Sequence, residues 1–110
     1  MVFIDDASED KTYDLTAEVV KDFGIEDKVI MIRNKEKKYA TFNIRQAILE
    51  HCVEDSIVVL VDGDDELVGR YVFSLLNAAY QSSNYWIVYT NYFMSDFKYG
   101  GSKYLPKDYF

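Results

Sequence analysis

Two clusters of carboxylates, each directly behind a short apolar run, are the residues whose types and spacing best suit chemistry. Asp5 and Asp6 follow the apolar residues 2–4. The second cluster, with Gly63 inside it, follows the apolar residues 57–61 and consists of Asp62, Asp64 and Asp65. Grouped carboxylates repel one another unless a cation relieves them, and their hard oxygens suit Mg²⁺ or Mn²⁺. The second cluster therefore predicts a bridge between a metal ion and a diphosphate, with Gly63 allowing the backbone a tight turn.

A simpler interpretation of the second cluster stays open. Asp64 or Asp65 would then cap a helix that begins near Val68, where the helix dipole favours negative charge. A calcium loop of the EF-hand type is excluded because its alternating acids and its final ligating Glu are missing.

Strands and helices must alternate along the chain to place these acids. Hydrophobic periodicity predicts strands over residues 2–4, 28–33, 57–61 and 85–93, and helices over residues 11–23, 41–53 and 68–81. Ser8 and Asp10 suit the N-cap of the first helix, and Gly24 suits its end. This order predicts a single α/β domain with a Rossmann-like, open, mostly parallel sheet covered by helices on both faces. Ligands bind such sheets beyond the carboxyl ends of the strands, where both acidic clusters lie. Residues 96–110 are expected to form a tail or the start of a further region.

Composition excludes several classes of protein. The 110 residues carry a net charge of −7, which argues against general nucleic-acid binding through phosphate neutralisation. No apolar run approaches the ~20 residues of a membrane helix, so no membrane segment is expected in this chain. One cysteine, Cys52, allows no internal disulfide and favours a cytoplasmic location. His51 beside Cys52 lacks the further ligands that a zinc site needs.

Read in order, these motifs resemble those of the family 2 glycosyltransferases, which have the GT-A fold. The acids after the first strand belong to a DD-x-S-x-D-x-T pattern over residues 5–12. A helix with "YATFNIRQAI" follows, and then a strand that ends in the D-x-D motif Asp62-Gly63-Asp64. The resemblance covers residues 2 to 95 and rests on both motifs in the same order.

The resemblance implies a role for each of these residues. Asp5 or Asp6 would contact the base of a nucleotide-diphosphate sugar, which favours a UDP-sugar, and Asp62 would lie near the ribose or the sugar. Asp64 would be the principal ligand of Mn²⁺ or Mg²⁺, with Asp65 assisting. The nucleotide-sugar site would also include Ser8, Asn43 and Gly63. The reaction would be an inverting displacement at the anomeric carbon by an acceptor hydroxyl, and Asp96 is the candidate for its base.

The resemblance also implies that the chain is the donor-binding portion of such an enzyme. The family's usual first strand and its acceptor half have no counterpart in these residues. The acceptor site would therefore come from a further region or from a partner chain.

Two alternatives remain at this point. A phospho-accepting receiver domain would use Asp5 and Asp6 as its acidic pair, Asp62 as the phosphate acceptor and Thr90 after its fourth strand. Against it, Asp64 and Asp65 would repel a phosphoryl group, and no convincing Lys follows a fifth strand. The other alternative is a donor-binding domain that does not catalyse transfer, which would bind nucleotide-sugar without turnover.

Overall fold

A parallel pair of short strands organises the beginning of the chain. In the computed structural model β1 spans Val2–Asp5 and β2 spans Ile30–Arg33, and their register pairs Val2 with Ile30 and Asp5 with Arg33. The structure describes residues 1–90, 92–93 and 99–100, and it divides into two compact units, Met1–Leu60 and Val61–Phe110. Each unit is described by itself.

The helix α1, Thr12–Asp22, connects the two strands together with a short 3₁₀ helix at Glu26–Lys28. The N-cap residue of α1 is Lys11, without a side-chain cap, so neither Ser8 nor Asp10 takes the expected position; Asp10, one residue earlier, accepts a hydrogen bond from the backbone N–H of Thr12 at 2.9 Å. Gly24 adopts φ = 62°, the left-handed conformation that commonly follows the end of a helix. Val20 is 6% exposed and is the buried apolar residue of the described core.

The helix α2, Tyr39–His51, follows β2 after a short loop. Its half-buried residues include Ile44 and Ala47, as the apolar spacing predicted. Phe42 and Leu49, expected on the same buried side, are 45% and 65% exposed. A pair of four-residue strands offers less surface than one helix face needs, so part of the apolar side stays in contact with solvent.

The second unit contains the helix α3, Val72–Ser82, and two very short strands. Strands β3, Tyr92–Phe93, and β4, Tyr99–Gly100, form an antiparallel pair, with Tyr92 opposite Gly100 and Phe93 opposite Tyr99. The predicted strand over residues 85–93 is therefore confirmed only at its last two positions. The tail expected from residue 96 onward includes β4.

The predicted strand over residues 57–61 does not form in the structure. These residues are exposed and make no ladder with another described segment. An apolar run becomes a strand only where a neighbour supplies hydrogen bonds, because β-propensity depends on context. In place of the predicted large open sheet, the described ranges contain one parallel and one antiparallel pair of strands, together with three α-helices. The class is α/β, as expected. None of these helices has both the length and the apolar character needed to cross a membrane.

Candidate functional site

The two consecutive acids at the end of β1 have different environments. Asp5 is only 3% exposed, and its Oδ1 accepts a hydrogen bond from the backbone N–H of Ser8 at 2.9 Å. Its Oδ2 lies 3.4 Å from Arg33 Nε, an ion pair whose alignment does not make a hydrogen bond. Asp5 therefore anchors the backbone beneath the site and is not available to a ligand.

Arg33 also holds the connection between β1 and α1. Its Nη2 lies 3.5 Å from the carbonyl oxygen of Ser8, and its Nη1 lies 3.9 Å from Asp14 Oδ1. The guanidinium carbon is 5.4 Å from the centre of the Tyr13 ring, within the range of a cation–π interaction. One cation thus joins the end of β2 to the loop after β1 and to the first turn of α1.

Asp6, the next residue, is half-buried and accepts three hydrogen bonds from residues that follow β2. Its Oδ1 accepts from Asn34 Nδ2 at 2.7 Å and from the backbone N–H of Lys38 at 2.8 Å. Its Oδ2 accepts from the backbone N–H of Tyr39 at 2.8 Å. A carboxylate offers about four acceptor positions, so these donors leave one position open on Oδ2.

These donors also anchor α2. The first N–H groups of a helix lack partners within the helix, and no residue beside α2 caps it with a side chain. Asp6 takes this role from a position more than thirty residues earlier, and its negative charge suits the positive end of the helix dipole.

The network keeps Asp6 ionised. The pKa of Asp6 lies well below its usual range, because the amide of Asn43, the N–H of Lys38 and the amide of Asn34 favour the charged form. Asn34 is the amide that donates directly to the carboxylate, and its Nδ2 also donates to Asn43 Oδ1 at 2.8 Å. Asn43 thus belongs to the network in two ways, since its amide favours the charged form of Asp6 and its Oδ1 accepts from Asn34.

Two residues in the left-handed region flank this carboxylate. Ala7 follows Asp6 with φ = 61°, and Tyr39, which donates to Asp6, has φ = 65°. Side chains other than glycine rarely adopt this conformation, and it costs about 1–2 kcal/mol for an ordinary residue. Strain of this kind is concentrated at ligand sites, where the surrounding hydrogen bonds maintain it.

An open cleft of about 630 Å³ lies above Asp6. Its lining residues come from the loop after β1 and from the start of α2, and they are Asp6, Ala7, Ser8, Glu9, Lys37, Tyr39 and Ala40. Asn43 does not line this cleft. It lines a separate cavity of about 80 Å³ together with Asn34 and Phe42. The structure therefore brings Asp5, Asp6, Ser8 and Asn43 together, but only Asp6 and Ser8 face the cleft.

The second acidic cluster forms a β-turn in the second unit. The backbone N–H of Asp65 donates to the carbonyl oxygen of Asp62 at 3.1 Å, with Gly63 and Asp64 in the centre of the turn. Gly63 does not use a left-handed φ, and a Cβ at this position would meet no atom within 4 Å. The turn itself therefore does not require glycine. Asp62, Asp64 and Asp65 are all exposed.

No three His, Cys, Asp or Glu side chains converge on a possible metal position anywhere in the described part of the chain. Asp96, the candidate base, lies outside the described residues.

Sequence reasoning missed Arg33 and Asn34. Each follows from the strand register, which pairs Asp5 with Arg33 and, one residue further, brings Asp6 to Asn34. The sequence does show that both strands end in polar residues. It does not show that the two strands pair in parallel, and the contacts between these residues depend on that pairing.

Comparison with known proteins gives one match. A family model described as Glycosyl transferase family 2 matches residues 1–109. No curated protein sequence and no solved structure matches the chain at a significant level. The family match covers both acidic clusters and the segment between them.

Proposed function

The chain belongs to glycosyl transferase family 2, and from this premise we propose that it binds a nucleotide-diphosphate sugar together with a divalent cation. The sugar would be transferred to an acceptor hydroxyl. We also propose that the parallel pair and its helices belong to a GT-A arrangement. Family membership favours this reading over a receiver domain.

The observation that carries the proposal is the state of Asp6. Its carboxylate is charged, it faces a cleft of about 630 Å³, and three protein donors leave one acceptor position open on Oδ2. Such a group accepts one N–H from a ligand and rejects a ligand that presents only acceptors there. The imide N–H of uracil satisfies this requirement, which supports a UDP-sugar as the donor.

The diphosphate needs positive charge in a chain whose net charge is −7. Lys37 lines the cleft and supplies one cation. For the metal, we propose Asp64 as the main ligand, with Asp62 and Asp65 beside it. These carboxylates have the hard oxygens that Mn²⁺ and Mg²⁺ prefer, and Mg²⁺ usually takes only one or two carboxylates plus substrate phosphates. A bound cation would neutralise charge on the departing nucleoside diphosphate.

The proposed transfer is a direct displacement. The acceptor oxygen forms a bond to the anomeric carbon while the bond from that carbon to the diphosphate oxygen breaks. The proton of the acceptor hydroxyl passes to a base, for which Asp96 is the candidate. Binding and orientation of the donor are the parts of this reaction that the described residues support.

Calorimetric titration with UDP-glucose and related UDP-sugars, with and without Mn²⁺, tests the proposal. We expect binding that strengthens with Mn²⁺ and weakens at least about tenfold in Asp64→Asn, with little change in thermal stability because Asp64 is exposed. Glu66→Gln, an exposed acid just outside the turn, is the matched control. Unchanged binding in Asp64→Asn would remove the metal assignment, whereas labelling of Asp62 by acetyl phosphate would favour the receiver alternative.

A further inference from the structure

Asn34 joins Asp6 to Asn43, and its role follows from this position. We propose that Asn34 is a positioning residue that fixes the Asp6 carboxylate so that a ligand N–H is directed to Oδ2. The inference rests on the proposed function, since it concerns how the same cleft recognises a base.

The orientation of the Asn34 side chain is determined by its partners. Its Nδ2 donates to Asp6 Oδ1 at 2.7 Å and to Asn43 Oδ1 at 2.8 Å, so both amide hydrogens are used. An ionised carboxylate only accepts hydrogen bonds, so the NH₂ group and not the carbonyl must face Asp6. The backbone of Asn34 is fixed as well, because its N–H donates to the carbonyl oxygen of Asp5 at 2.9 Å.

The consequence is an asymmetry between the two oxygens of Asp6. Oδ1 receives both Asn34 and the Lys38 N–H, which fill its two acceptor positions. Oδ2 receives only the Tyr39 N–H and keeps one position open. Lys38 and Tyr39 contribute backbone groups, so Asn34 is the one side chain among these three donors and the one that a substitution can remove.

Neither alanine nor aspartate can make both of these hydrogen bonds at this position. Alanine would remove both amide hydrogens. Asp6 would then have one open acceptor position on Oδ1 in addition to the one on Oδ2. Aspartate would place a like charge against Asp6 and could not donate when ionised. We therefore compare Asn34→Ala and Asn34→Asp with Asn84→Ala, a change at an exposed asparagine of the second unit.

The first measurement uses the full chain without ligand. Carbon-detected NMR titration of the Asp6 carboxyl is expected to show its pKa rising toward the ordinary aspartate value in Asn34→Ala. The side-chain amide signals of Asn43 are expected to move as well. Asn84→Ala should change neither. If the Asp6 titration and the Asn43 signals are the same in Asn34→Ala as in the wild type, the inference is overturned.

The second measurement is the affinity for UDP and for UDP methylated at the imide nitrogen of uracil. The wild type should prefer UDP, and Asn34→Ala should reduce this preference about tenfold, with a larger loss in Asn34→Asp. A shifted Asp6 pKa with an unchanged preference also overturns the inference. A wild type that binds neither nucleotide defeats the proposed function instead, and the ligand-free titration separates the two failures.

Discussion

Asp5 and Asp6 show how one strand gives two adjacent acids opposite roles. Asp5 is the last residue of β1 and turns inward to Arg33, while Asp6, the first residue after the strand, lines the cleft. The inward acid organises the backbone, and the outward acid lines the cleft. The family resemblance left open which of the two contacts the base, and their burial favours Asp6.

The charge of Asp6 makes the stability of the first unit depend on pH. Its pKa is lower in the folded chain than the roughly 3.9 of an unfolded aspartate, so its contribution is complete above about pH 4. The contribution is lost as the pH falls below 4 toward the folded pKa. We expect Asp6→Asn to be less stable than the wild type at pH 7, with the difference shrinking toward pH 2.

Urea unfolding followed by circular dichroism at several pH values measures this difference. Glu18→Gln, an exposed change within α1, is the control. A difference between wild type and Asp6→Asn that stays constant from pH 7 to pH 2 would show that the charge of Asp6 does not contribute.

The ion pair beneath the site gives a second prediction. Arg33→Met keeps the aliphatic part of the side chain but leaves the buried Asp5 carboxylate without its cation. We expect a loss of about 1–3 kcal/mol in the free energy of unfolding, because a buried charge that loses its partner is costly. This figure is at the lower end for such pairs, since the Arg33 side chain is 43% exposed.

Denaturant unfolding of Arg33→Met beside Arg45→Met, a change at an exposed arginine of α2, isolates the effect. The double variant Arg33→Met with Asp5→Asn should regain part of the loss, because no buried charge then remains. Equal losses in the two single arginine variants would contradict the assigned role of the pair.

At the scale of elements, the helix α2 begins with a residue whose backbone conformation is strained. Tyr39 has φ = 65°, so Tyr39→Gly should raise the free energy of unfolding by up to about 1 kcal/mol, since glycine adopts this conformation without a steric cost. Ala40→Gly, one residue later in the same helix turn, should lower it by about 1 kcal/mol. Thermal unfolding of both variants compares neighbouring positions with opposite expected signs. Destabilisation of similar size in both would mean that Tyr39 is not strained.

The three helices and the first two strands were predicted from sequence to within a few residues, whereas the predicted strands over residues 57–61 and 85–93 were not. Thr12–Asp22 follows a local pattern of apolar spacing, with Asp10 near its start and Gly24 after its end, all readable within a dozen residues. A strand depends on a partner that lies far away in the sequence. The most apolar run of the chain, residues 57–61, illustrates this, since no described segment pairs with it.

The same reasoning explains which parts of the site could be predicted. Asp6 was identified because an acid at the carboxyl end of a strand is a local pattern. Its partners Asn34, Lys38 and Tyr39 were not identified, because they meet Asp6 only through the parallel pairing of β1 with β2 and the start of α2. Asn43 was identified from the family pattern, and its indirect contact through Asn34 needed coordinates.

For the whole molecule, the proposed binding of a donor together with a divalent cation has a thermodynamic consequence. If the chain binds the diphosphate of its donor together with a divalent cation, as proposed, Mn²⁺ must raise the affinity for UDP. The same ion must leave the affinity for uridine unchanged, because uridine lacks phosphates. The net charge of −7 strengthens the effect, since it disfavours a diphosphate that arrives without a cation.

Titrations of UDP and uridine at 0 and 1 mM Mn²⁺ (roughly the concentration range in which weak cation sites fill) measure this coupling. We expect at least about a tenfold gain for UDP, and by reciprocity UDP must raise the affinity for Mn²⁺ by the same factor. An equal gain in the affinity for uridine would show that the cation acts on the fold and not on the diphosphate.

The register of β1 against β2 also affects how this sequence tolerates insertions and deletions over evolutionary time. Loss of one residue from positions 2–4 would shorten β1 and shift its pairing with β2 by one residue, so Val2–Asp5 and Ile30–Arg33 could no longer be matched along their whole length with Asp5 opposite Arg33. Point replacements in this strand alter one contact each. A length change would disturb every pair of the register at once, so lineages that retain the cleft should keep the length of this segment even where its apolar residues vary.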